Sequence, residues 1–232
     1  MKRINDLDRL RNEYAAREKR LPESTLYSVF NPSTLFSVQS RQRAELRMLR
    51  DHSFNAIDQL RILEIGCGDG GIINDYLHYG ARPLHLSGVD LLPERLKRAK
   101  KRYPDVNFSC TDAQALPYKD ESFHLVLQYT AFTSVLDDRI KGNLSSEMLR
   151  VLRKQDGMII WYDFWLNPKN PHTRGIRKQE IRKLFPGCHF SFHKITLAPP
   201  IARKLVPISW PIARMLESLR LFNTHYLVSI IP

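Results

Sequence analysis

The stretch Ile62-Leu63-Glu64-Ile65-Gly66-Cys67-Gly68-Asp69-Gly70-Gly71 decides how this chain is read. A short apolar run with one embedded acid passes straight into a cluster of glycines. That pattern predicts a buried strand over Arg61–Ile65, a tight loop, and a helix reaching to about Tyr79. Glycines at such a loop let the backbone turn sharply and let a ligand approach the main chain and the N-terminus of the next helix. At the carboxyl end of a first strand, the loop lies at the crevice where open α/β sheets bind ligands. Gly66, Gly68 and Gly71 also satisfy the dinucleotide pattern GxGxxG, so the glycines alone leave a dinucleotide, another nucleoside or an ordinary turn open.

Outward from this loop, strands alternate with helices, which predicts a parallel sheet. Further strands are expected at His85–Val89, Val106–Cys110, Phe123–Gln128, Met158–Phe164, His189–Leu197 and His225–Ile231. Helices are expected over Pro93–Tyr103, around Leu144–Leu152 and over Ile176–Phe185. Upstream, Ile4, Leu7, Leu10 and Tyr14 have helical spacing up to Pro22, and a second helix follows Pro32, capped by Ser33 or Thr34, with Leu35, Val38, Leu46 and Leu49 on one face.

Three acids narrow the ligand. Asp90 ends the second strand, where a carboxylate accepts both ribose hydroxyls of a nucleoside. Glu64 lies inside the first strand, where a dinucleotide site has no use for it. A buried carboxylate needs a partner, and here it is placed to hold the cationic amino end of a methionine moiety. Asp112, just after the third strand, is placed to accept from an adenine amino group, or else to cap a turn.

LEIGCGDGG, GVD, TDAQALPYKDESFHLVLQ and EMLRVLRKQDGMIIWYDF resemble the successive motifs of the class I S-adenosylmethionine (SAM)-dependent methyltransferases, in the group with small-molecule and ubiquinone-type enzymes. The resemblance covers about residues 60–165. It implies an α/β, Rossmann-like seven-stranded sheet of order 3-2-1-4-5-7-6 with strand 7 antiparallel, and a cofactor site lined by Glu64, Gly66, Cys67, Gly68, Asp90, Leu91, Asp112, Ala113 and Gln128. It also implies SAM as cofactor and S-adenosylhomocysteine as product. His189 and His193 share a strand face by alternation but have no third ligand in the pattern, so no metal is expected. Lys154-Gln155-Asp156-Gly157 departs from the family's Pro-Gly-Gly turn, with Gly157 in the expected left-handed position. Asp69 stands where threonine or serine is frequent, near the methionine carboxylate or facing solvent. The flanks (Tyr27–Pro32, WYDF–NPKNP–RGI and Thr224–Leu227) are similar to bacterial methyltransferases of polysaccharide or glycolipid biosynthesis.

Methyl transfer from a sulfonium is an in-line displacement governed by positioning, and a hydroxyl acceptor also needs a base within hydrogen-bond reach. The loops after the fourth and fifth strands offer Tyr129, Thr130, Tyr162, Asn167 and Arg174 to the acceptor. Asp163 and His172 are the candidate bases, and Arg174 the candidate for an acceptor phosphate or carboxylate. Asp163 equally serves to anchor a loop, and Arg174 to pair with it.

The expected organisation is an N-terminal helical cap over 1–55 and a methyltransferase domain over 56–232, with a lid-like insert at 198–222. Charge is uneven along the chain. Residues 1–50 hold 11 basic and 6 acidic side chains, 51–165 hold 14 and 16, and 166–232 hold 11 and 2, within a formal net charge of +12. The basic flanks suit an anionic or lipid-linked acceptor, a membrane surface, nucleic acid or plain solvation. The insert ends in a basic amphipathic segment, Ile212–Leu221, that fits either a lid or an interfacial helix. No apolar run is long enough to span a bilayer, and three cysteines without paired spacing predict a reducing, cytoplasmic setting with peripheral membrane contact as an option. Against an RNA methyltransferase, Gln128-Tyr129-Thr130-Ala131-Phe132 lacks the Asn/Asp-Pro-Pro-aromatic motif. A non-catalytic SAM-binding protein is disfavoured by the intact core motifs. An NAD dehydrogenase competes at the level of the cofactor, and Glu64 counts against it.

Overall fold

The computed structural model describes residues 6–20, 28–166 and 172–232. Its strands are β1 (Ile62–Ile65), β2 (Leu86–Asp90), β3 (Asn107–Cys110), β4 (Leu125–Tyr129), β5 (Met158–Phe164), β6 (His189–Leu197) and β7 (Asn223–Ile231). They form one sheet of order β3-β2-β1-β4-β5-β7-β6. β7 runs antiparallel to both β5 and β6, and the other pairings are parallel. The helices are α1 (Asp6–Arg20), α2 (Pro32–Asp51), α3 (Gly71–His78), α4 (Pro93–Arg102), α5 (Asp138–Val151), α6 (Lys178–Leu184), α7 (Pro199–Leu205) and α8 (Trp210–Ser218).

Strand alternation sorts the two faces. Leu63 and Ile65 of β1 enter a core with Ile140, Leu144 and Met148 of α5, Ile181 of α6 and Leu10 of α1. Ile62 faces the opposite core, with Met48 and Leu49 of α2 and Ile73 and Tyr76 of α3. Glu64 shares the parity of Ile62, so its carboxylate is directed to the α2–α3 side, where it is buried.

α2 differs in phase from the sequence expectation. Its N-cap is Asn31, whose side chain accepts from the Ser33 N–H, with Pro32 in the first turn; proline there loses no helical hydrogen bond. The helix buries Ser33, Phe36, Ser40, Arg41, Glu45, Met48 and Leu49, while Leu46, expected on the inner face, is 45% exposed. The insert is helical: its proline-rich start forms α7, with Pro199 and Pro200 in the first turn, and Ser209 caps α8. Phe36 of α2, Leu197 and the insert residues Ala202, Val206 and Ala213 make a third, small core.

Gly157 is a correction. Left-handed backbone is confined to Gly66, Gly68, Gly70, Gly80 and Gly187 among the described glycines, so Gly157 is not needed for φ. It is needed for space: a Cβ there would lie 2.2 Å from the Arg153 carbonyl oxygen and 2.8 Å from Leu152 Cγ. Gly157→Ala is therefore expected to cost about 1–3 kcal/mol through overpacking. A lowered urea midpoint with unchanged slope would carry that signature.

Candidate active site

The β1–α3 loop is drawn tight by backbone bonds. The N–H groups of Gly66 and Cys67 both donate to the Val89 carbonyl, at 2.8 and 3.0 Å. Gly66, Gly68 and Gly70 have φ of +72°, +52° and +80°, which L side chains rarely adopt. Next to the loop, Asp90 at the end of β2 accepts from the Gly68 N–H through Oδ2 and from the Leu92 N–H through Oδ1, each at 2.9 Å. Each oxygen keeps a lone pair for a further donor, so the carboxylate is held in place and still available. Leu91 follows it, half-buried. Cys67 is buried, and a Cβ on Gly88 would lie 2.7 Å from its Sγ, so the thiol packs on β2. Burial, with Glu64 nearby, pushes that thiol's pKa up. Asp69 pairs with Arg98 at 2.9 Å, which takes it to the solvent side.

Glu64 Oε2 is buried without a hydrogen-bond partner. Burial pushes this carboxyl well above the usual carboxylate range; the positive charge of Arg41 opposes the rise and Asp90 adds to it. A buried acceptor without a partner beside a glycine loop has the chemistry to receive a cationic donor. Asp112 accepts from the Gln114 N–H at 3.0 Å and from Gln114 Nε2 at 2.9 Å. The turn-capping role is thus present, and its half-buried carboxylate retains acceptor capacity. Ala113 packs against the α5-side core.

The loop after β4 meets this cradle: a Cβ on Gly66 would lie 3.1 Å from Ala131 Cβ. Thr130, exposed, holds φ of +55°, a strained conformation for a β-branched residue. Its N–H donates to the Tyr162 carbonyl at 2.8 Å. α1 crosses the same region. Tyr14 donates to Ser134 Oγ at 3.0 Å, and Arg9 to the Ser134 carbonyl at 2.6 Å. The guanidinium of Arg95 stacks 4.6 Å from the Tyr14 ring and approaches Gly68.

Several expected acceptor contacts are corrected. Asp163 is fully buried and holds the β4 exit. It accepts from Thr133 Oγ1 at 2.6 Å, the Thr133 N–H at 3.1 Å, the Phe164 N–H at 3.0 Å and Gln128 Nε2 at 3.3 Å. Both oxygens are engaged, which suits a positioning role better than that of a poised base. Gln128, expected to line the cofactor, is fully buried and bridges Asp163 to the Ala131 N–H. Arg174 is tied to Asp138 and Glu180, not Asp163, so it is no free anion receptor. Tyr129 and Tyr162 are buried, their hydroxyls bonded to Glu45 and Thr196. His172 approaches Glu13 of α1 at 3.4 Å and remains partly exposed. Asn167 lies outside the described residues.

What the sequence reading missed is a polar cluster delivered by α2. Glu45, fully buried, accepts from Tyr76 at 2.7 Å and from Tyr129. Arg41 donates to Asp75 at 2.6 Å and sits 5.3 Å from the centre of the Tyr129 ring. Its Nη1 is buried without a partner. The signal was present as two charged residues one turn apart on a helix, but Leu35, Val38 and Leu46 suggested the other phase.

A glycine cradle at β1, an acid at the end of β2 and this strand order define the class I SAM-dependent methyltransferase fold. Residues 62–155 match the family model described as "Methyltransferase domain". Phthiotriol/phenolphthiotriol dimycocerosates methyltransferase 1 of Mycobacterium ulcerans is 34% identical over 118 residues, 47% of this chain and 39% of that protein. Norajmaline N-methyltransferase of Rauvolfia serpentina is 32% identical over 136 residues, 53% of this chain and 44% of that protein. The chain thus spans less than half the length of these two relatives. Phosphoethanolamine N-methyltransferase 1 of Haemonchus contortus, solved with phosphoethanolamine and S-adenosylhomocysteine, superimposes with a TM-score of 0.64 at 16% identity. That match covers 98% of this chain and 49% of the other.

Proposed function

We propose that this protein transfers a methyl group from SAM to a small-molecule acceptor. The observation that carries the reading is the orphaned, buried Glu64 Oε2 at the glycine loop, with the preset carboxylate of Asp90 beside it. Glu64 would hold the methionine ammonium, the Gly66–Gly68 backbone would admit the cofactor's close approach, and Asp90 would accept the ribose hydroxyls. Asp112 would take the adenine amino group. When bound, SAM supplies an electrophilic methyl group, and this chain's residues position the nucleophile against it.

Residues 1–55 then act as a cap and 56–232 as the catalytic domain, with 198–222 as its lid. Contacts of α1 with Ser134 and Arg95 support the cap. On the acceptor side, Thr130 and His172 are the open candidates; a hydroxyl acceptor would use His172, with Glu13 beside it, as base. Relatives named for phthiotriol dimycocerosates and norajmaline support a small-molecule acceptor. Calorimetric titration with S-adenosylhomocysteine and, separately, NAD tests the cofactor. Binding of the first and not the second is expected; the reverse would reassign the site to a dehydrogenase. Labelled methyl transfer from SAM into fractionated extract then identifies the acceptor.

A further inference from the structure

The insert between β6 and β7 presents a surface that the catalytic reading does not use. α8 turns Ala213 and Glu217 inward and leaves Ile212, Met215 and Leu219 exposed along one stripe. Ile208 before the helix is 81% exposed, and Leu221 after it 70%. Arg203 and Lys204 of α7 and Arg220 are also exposed. Arg203 and Pro207 further line a shallow cleft with Phe30, which is 94% exposed, so the apolar surface extends to the start of α2. The only acid in 198–222 is Glu217. It is buried, accepting from Ser40 Oγ at 2.6 Å and from Arg214 at 3.1 Å. Within 198–222 the exposed side chains are therefore largely apolar and cationic, with no exposed carboxylate among them.

We propose that this face docks on an anionic lipid bilayer. Exposed aliphatic side chains flanked by arginine and lysine match acyl chains bordered by anionic headgroups. The stripe on α8 carries no side-chain hydrogen-bonding group of its own, and the patch's arginines and lysine donate without any exposed carboxylate of the insert beside them, which favours acyl chains and headgroups over a folded acidic partner. The insert is placed to serve the site. Leu197 pairs with Asn223, and His225 pairs with Phe164, so the insert leaves the sheet beside the carboxyl end of β5. Docking would bring that edge to the membrane, within reach of a lipid-linked acceptor. The lipid-linked acceptor rests on the methyltransferase reading; the docking itself does not.

The full-length protein should be floated with phosphatidylcholine vesicles, with and without one part in four of phosphatidylglycerol, at low and high salt. Preferential recovery with the anionic vesicles at low salt is expected. Met215→Glu with Leu219→Glu, and separately Arg203→Glu with Lys204→Glu, should each reduce recovery about tenfold or more. Melting temperature and S-adenosylhomocysteine affinity should stay at wild-type values, since none of the four residues lies in the cofactor site. Absence of vesicle binding, or binding that both double variants retain, overturns the proposal. So does a concentration-dependent dimer that Met215→Glu with Leu219→Glu dissolves, because a second copy would then cover the face. Vesicle binding is read without SAM, so its failure leaves the methyltransferase reading intact, and a failed methyl transfer leaves docking intact.

Discussion

Glu64→Gln is expected to weaken S-adenosylhomocysteine binding about ten- to hundredfold, the range for losing one charge-assisted hydrogen bond. The side chain is nearly isosteric, so the loop geometry and the bond accepted from the Ile73 N–H survive. What disappears is the ability to become an anion opposite the ligand's ammonium. Burial holds the Glu64 carboxyl above its ordinary 4.5 in the free protein, against the charge of Arg41. An ammonium beside Oε2 lowers that pKa again. Binding to the wild type should therefore release a proton, visible as a dependence of the calorimetric heat on buffer ionisation, and affinity should fall as pH drops below the raised pKa. The variant should show neither effect.

Stability gives an independent reading of the same group. A carboxyl whose folded pKa is raised contributes stability fully below its unfolded pKa and loses that contribution as pH rises through the folded value. The free wild type should lose melting temperature on that alkaline side, and Glu64→Gln should not. A variant with wild-type affinity and wild-type pH dependence would remove Glu64 from the cofactor site.

The two levels of the molecule were unequally legible. The strands and the β1 loop were readable because apolar runs, glycines and terminal acids are local signals whose meaning survives folding, while the sheet order came only with the family resemblance those motifs carry. Met158–Phe164 and His189–Leu197 even begin and end where expected. The acceptor side was not readable, for a physical reason. Asp163, Gln128, Tyr129 and Tyr162 look like site residues when polarity at the end of a strand is the criterion. Yet each is buried, with its polar atoms bonded within the protein. Partners such as Glu45 and Thr133 come from distant or irregular segments that no periodicity links to them. The phase of α2 failed for the same reason. An amphipathic reading assumes that the buried stripe is apolar, and here Arg41 and Glu45 occupy it because Asp75, Tyr76 and Tyr129 wait on the other side.

Asp163 separates the two kinds of role, and its substitution should be the more damaging to the fold. Asp163→Ala leaves the Thr133 hydroxyl and N–H, the Phe164 N–H and the Gln128 amide without their acceptor in a fully buried site. Asp163→Asn fails differently: whichever way the amide is turned, its NH2 faces a backbone N–H. Both are expected to cost about 2–4 kcal/mol in urea unfolding, the scale of a broken buried hydrogen-bond network. Burial raises this carboxyl to about 6 against those bonds, above its ordinary 3.8. A raised folded pKa means that the wild type loses the group's contribution as pH climbs through that value. The gap between wild type and Asp163→Asn should therefore narrow from acid to neutral pH. If Asp163 were instead the catalytic base, the Asn variant would keep its urea midpoint while turnover collapsed with substrate affinity intact. The loss expected from a positioning role runs the other way: stability falls first, and the strained Thr130 at the β4 exit, which Asp163 braces through Thr133, loses its fixed place.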